Sequence, residues 1–121
     1  MNLQETIRRI LKEESKKDKL IDKYITSLIK PENGKYNHDS KRFDMNDNGG
    51  NLNAVIFFNK RNEVMEVMID ESIWLQVFEM FSIDGWTEMN DYLVKWFQDN
   101  FDGLEDLSEV TTFDNAEFAY I

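Results

Sequence analysis

The chain has no cysteine among its 121 residues. That excludes a disulfide, a thiolate zinc or iron–sulfur site and a Cys nucleophile. It has a single histidine, His38. A metal centre built on several imidazoles is therefore excluded, and a Ser-His-Asp triad would have to use this one ring. One proline and five glycines leave no low-complexity linker. No apolar run approaches the roughly 20 residues of a membrane span. Arg8 and Arg9 are not followed by an apolar core of signal-peptide length. These absences lead us to expect a cytoplasmic protein with no membrane contact and no cofactor.

What is present is unevenly divided. Residues 1–42 hold 11 Lys/Arg and 7 Asp/Glu, a balance of +4, and residues 43–121 hold 3 and 17, a balance of −14. A basic helical arm joined to an acidic body is the expected arrangement, and it speaks to partners rather than to chemistry. The aromatics segregate in the same way. All three Trp and eight of the nine Phe lie within 52–121. With 41% hydrophobic residues the chain can bury a core, and its length is that of one domain.

Leu3, Ile7, Ile10 and Leu11 recur at helical spacing, and Leu20, Ile21, Tyr24, Ile25, Leu28 and Ile29 form a second stripe that Pro31 stops. The stripes share one heptad phase, interrupted by Glu14 and Lys17. Two readings remain open: one long helix with a polar waist, or two helices meeting near Ser15, which with Asp18 offers a cap. The stretch Glu32–Gly50 is polar, with Asn33-Gly34 and Gly49-Gly50 as turn signals, and reads as a loop.

Residues 53–59 and 64–69 read as a β-hairpin. Asp70 is placed to cap a helix over 71–82 whose apolar stripe is Ile73, Trp74, Val77, Phe78 and Phe81. Trp86, Met89, Leu93, Trp96, Phe97 and Phe101 mark a further helix, closed by Gly103. At the end of the chain, 110–113 and 116–121 either form a second hairpin or lie as one extended segment. The expectation is an α+β fold with an amphipathic helical arm over 1–30, a polar loop over 31–52 and an acidic body over 53–121. In the body, the hairpin packs on the helix pair.

Candidate chemistry is thin. Asp44-Met45-Asn46-Asp47-Asn48-Gly49 matches the first six positions of a calcium loop, but position 12, which should be a bidentate Glu, is Val55. His38 sits in the polar loop between Asn37 and Asp39. Acids such as Asp102, Glu105 and Asp106 lie close in sequence, yet nothing sets two of them apart as an acid–base pair. The helix–turn–helix stretch 71–101 holds one base, Lys95, against six acids, so it lacks the clustered Lys/Arg that nucleic-acid binding needs. No catalytic or metal residue is assigned, and the chain is read as a non-enzyme.

The opening segment Asn2–Glu14 resembles the N-terminal leader of many small accessory proteins of tailed bacteriophages, and the residues around Ile73-Trp74 and Met80-Phe81-Ser82 are similar to such proteins as well. The resemblance implies a phage-type accessory or virion-associated protein, found in the host cytoplasm or the virion. Its leader would recruit it to a protein partner, and it implies no catalytic residues. On this reading Leu3, Ile7, Arg8, Ile10 and Leu11 dock in a partner groove, helix-in-groove fashion. Homo-oligomers are allowed, and direct contact with nucleic acid is not expected. The alternative is an acidic mimic of nucleic acid that blocks the basic channel of a DNA-binding host protein.

Overall fold

From Leu3 to Ile29 the sequence contains no glycine or proline and is rich in Leu, Glu and Lys, all strong helix formers. A computed structural model, which describes residues 3–46 and 50–114, with side chains at Gln4 and from Lys16 onward, makes this stretch a single 27-residue helix, α1 (Leu3–Ile29). The backbone runs unbroken through the polar waist at Glu14 and Lys17. Pro31 cannot continue the helix, and Lys30 before it takes the left-handed conformation (φ 53°) common just past a helix C-terminus.

Four strands follow as a meander. They are β1 (Gly34–Asn37), β2 (Arg42–Asn46), β3 (Leu52–Phe58) and β4 (Val64–Asp70). Next come α2 (Glu71–Met80), α3 (Trp86–Asn100) and a short β5 (Thr111–Phe113). The sheet order is β1-β2-β3-β4-β5, antiparallel except for β5, which runs parallel to β4 after the two-helix crossover. The chain is thus α+β.

The region read as a polar loop over 31–52 contains the β1–β2 hairpin, which corrects that expectation. Phe43 and Met45 alternate with Arg42 and Asp44 at strand period, and Tyr36 stands opposite Phe43. The Asn37 side chain closes the turn by accepting from the amides of Asp39 and Ser40 at 2.9 and 3.1 Å. A Cβ at Gly34 would collide with the far edge of the Phe43 ring, so a larger residue there requires that ring to move. At the C-terminal end, 111–113 is a single strand laid along β4, and the expected pairing with 116–121 falls outside the described residues.

One sheet face, with Met45, Ala54, Ile56, Val67 and Ile69, packs against Ile73 and Val77 of α2 and Met89, Leu93, Trp96 and Phe97 of α3. Ile21, Ile25 and Ile29 of α1, each 0% exposed, complete that core. The second half of the stretch read as an arm is therefore part of the body. Burial of one such Ile is worth about 1.5–3 kcal/mol over its exposure. The Asn53 amide ties this end of α1 to β3 by donating to the Leu28 carbonyl at 2.9 Å. Asp70 caps α2 as its sequence position suggests, its carboxylate accepting from the Ser72 amide at 3.3 Å.

Candidate functional site

Two features of this architecture can meet a partner, and both follow from how α3 is placed. The first is the start of α1. Lys17 lies 4.0 Å from Glu88 near the N-terminal end of α3, and the Trp96 indole N–H near the other end donates to Thr26 Oγ1 at 3.0 Å. The helices therefore run parallel, with Lys17 level with the start of α3. From Leu3 to Lys17 α1 runs about 21 Å further, at 1.5 Å per residue. That overhang contains Leu3, Ile7, Arg8, Ile10 and Leu11, the expected partner-binding residues. They share one helix backbone, while their side chains lie outside the described residues.

Beside the apolar contact made by Ile21, Ile25 and Ile29, the solvent-facing edge between α1 and α3 is polar. Asp18, Asp22, Glu88 and Lys95 gather around Tyr92, whose hydroxyl donates to Glu88 Oε1 at 3.3 Å. Burial, then the charge and hydrogen bond of Asp18, then those of Glu88, push the Tyr92 phenol up to about 12. Burial also raises the Asp22 carboxyl, with Lys95 opposing it and Asp99 and Asp18 adding to it. For Tyr92 the folded pKa exceeds the unfolded value of about 10. Its contribution is therefore fully present below pH 10 and is lost as pH rises through 12. Stability should fall more steeply between those values in the wild type than in Tyr92→Phe. Equal slopes in alkaline denaturation would show that the phenol is not held this way.

The second feature is a groove of about 680 Å³ between the β3–β4 hairpin and the segment after α3. The polar side of α3 holds that segment in place. Asn90 donates to the Ser108 carbonyl and accepts from the Val110 amide, both at 2.9 Å, and Gln98 donates to the Leu104 carbonyl at 3.0 Å. Leu104 and Val110 are buried as anchors, and Gly103 makes the turn with φ 84°. Glu63, Glu66, Asp102, Asp106 and Glu109 line the groove around Phe58, Val64, Met65, Leu104 and Leu107. A smaller apolar cavity of about 130 Å³ adjoins it and shares Phe58, Val64, Asp102 and Leu104. Of the sequence cluster Asp102, Glu105 and Asp106, the groove takes the first and last; Glu105 is not part of its lining. Sequence spacing could not signal this site, because its two walls are about 40 residues apart.

The half calcium motif is divided. Asp44 is inside β2 and is held by Arg42, whose Nε and Nη2 donate to its two oxygens at 2.7 and 3.1 Å. Asp47, Asn48 and Gly49 lie outside the described residues. Among the described residues no three His or carboxylate side chains are grouped to hold a metal ion. Calorimetric titration with calcium should give no saturable isotherm at micromolar metal. A one-site isotherm lost in Asp44→Ala would contradict this. His38 is in the β1–β2 turn, its ring edge-on to Tyr36 at 4.7 Å.

Of the three tryptophans, Trp96 is buried and Trp74 is half-buried, stacked on Phe78 at 4.9 Å. Trp86, at the start of α3, is 54% exposed. Among the described residues no helix is long and apolar enough to cross a membrane. No family model matches this chain, and no curated protein and no solved structure is similar to it.

Proposed function

We propose that this chain is a non-enzymatic interaction protein that docks on a protein partner through the N-terminal part of α1. It would act as an accessory or virion-associated component of the tailed-phage type, in the host cytoplasm or the particle. The observation that carries this reading is the overhang of α1 past the start of α3. A sequence that stripes a helix with Leu3, Ile7, Ile10 and Leu11 ahead of the start of α3 supplies an apolar row of the kind that docks in a partner's groove. The basic residues Arg8, Arg9 and Lys12 on the remaining faces add charge for steering toward an acidic surface.

The test compares full-length protein with a variant lacking residues 1–14, each used as bait against its own host extract and at increasing concentration alone. Capture or self-association should be present in the first and absent in the second. If the shortened protein keeps every interaction of the full chain, the docking reading is wrong.

A further inference from the structure

We infer, on the basis of the docking reading above, that the arm's partner is a second copy of this chain, whose groove between the β3–β4 hairpin and residues 102–111 receives the arm. The groove dictates what can occupy it. Its five carboxylates, Glu63, Glu66, Asp102, Asp106 and Glu109, are spread along the lining, and no three are grouped as they would be for one cation. They fit a segment carrying several positive charges in a row. Between them Met65 is 67% exposed and Leu107 is half-buried, so the same segment must also present apolar side chains. The adjoining 130 Å³ cavity, walled by Phe43, Ile56, Phe58, Val64, Phe101 and Leu104, has room for one aliphatic side chain. A dry cavity of about 150 Å³ holds a benzene molecule.

The arm has this chemistry. Residues 6–12 carry Arg8, Arg9 and Lys12 and no acid, in a chain whose residues 43–121 are strongly acidic. On a helix Ile7, Ile10 and Leu11 share one face at spacings of three and four, and Arg8 and Lys12 flank that face on one side. An Ile or Leu from this row is the candidate for the apolar cavity.

The contact must be between copies. α1 and α3 run parallel, and the arm leaves at the N-terminal end of α3. The groove begins past the C-terminal end of α3, where Asp102 and Gly103 follow Asn100, and its wall runs back along α3 to the level of Asn90, which holds Ser108 and Val110. The arm starts at Lys17, level with Glu88, and as the continuation of one straight helix runs outward from the start of α3, so it points away from its own groove. A helix that cannot fold back can reach only a neighbour's groove. Arm to groove joins two different surfaces, so copies either close by reciprocal exchange or as a ring, or leave one free arm and one free groove at the ends of an open row.

Sedimentation velocity over a concentration series tests this, with the arm variant Arg8→Glu/Ile10→Glu and the groove variant Glu63→Lys/Asp106→Lys. Both groove positions are exposed, so the fold should survive, which an unchanged near-UV circular dichroism spectrum verifies. Glu63→Gln/Asp106→Asn is a milder second pair. Wild type should associate with concentration, less so as salt rises from about 0.05 to 0.5 M. Each reversal variant alone should weaken association at least about tenfold, roughly 1.4 kcal/mol. An equimolar mixture of arm and groove variants should form a dimer and nothing larger, because one intact groove meets one intact arm. A groove variant that associates like wild type would mean arm pairs with arm, and would overturn the inference. So would a mixture that stays monomeric while wild type associates. Wild type that is monomeric throughout, while residues 1–14 are still needed to capture another protein, overturns the second-copy partner and leaves the docking reading standing. If neither association nor capture needs those residues, both fall.

Discussion

Replacing Trp96 with alanine should destabilise the protein by about 3–5 kcal/mol, the range for a large buried aromatic. The residue is 1% exposed and sits where α3, α1 and the Phe97–Phe101 rings meet. Its ring edge is 4.9 Å from Phe97 by centroid, and its N–H donates to Thr26 Oγ1. Alanine removes the apolar contacts, leaves a cavity that neighbouring helices fill only in part, and deprives Thr26 of a donor. The loss should appear in urea denaturation as a lower midpoint with an unchanged slope. Trp86→Ala is the internal control. At 54% exposure it should change stability by no more than about 0.5 kcal/mol. In the folded protein iodide should quench Trp86 and leave Trp96 nearly untouched. Similar costs at the two positions would mean that the core is not centred on α3.

Ile25→Ala should cost about 2–5 kcal/mol, as for other fully buried aliphatic residues. Ile25 has no exposed surface and packs in the same cluster as Ile21 and Ile29. An arm held away from the body would show almost no change at this position. Ile25→Asp is the stronger form. A carboxylate there has no described cation to pair with inside the apolar cluster, so it must be protonated or the helix must detach. Either outcome should leave the protein largely unfolded at neutral pH. Retention of wild-type stability by Ile25→Asp would place the second half of α1 outside the core.

The parts of the fold legible in the sequence were those where local signals agree. In β3 and β4 the strand residues flank a short polar turn, and in α2 the cap Asp70 stands before an apolar row at helical period. The β1–β2 hairpin was not legible because it is short and polar. Tyr36 is its main apolar residue before the turn, and the strand that carries it is at the sheet edge. Periodicity identified α1 as amphipathic but could not say what its apolar face meets. Of the heptad phase that continues into the overhang, Ile21 enters the core and Tyr24 and Leu28 pack against it, while Ile25 and Ile29, which lie beside that phase, are fully buried. The groove was illegible for a different reason. Asn90 and Gln98 read as ordinary polar positions on α3, and only packing shows that they hold the 104–110 segment as its wall. The charge division was legible throughout, and it is the property that the arm and the groove share.

The most direct measurement is the unfolding free energy of the protein lacking residues 1–14 beside that of the full chain, at the lowest usable concentration so that self-association does not add to the stability of either. If those residues serve docking, the two should agree within about 0.5 kcal/mol, with equal denaturant slopes. A loss of several kcal/mol on truncation would mean that the start of α1 is core, and would contradict the account.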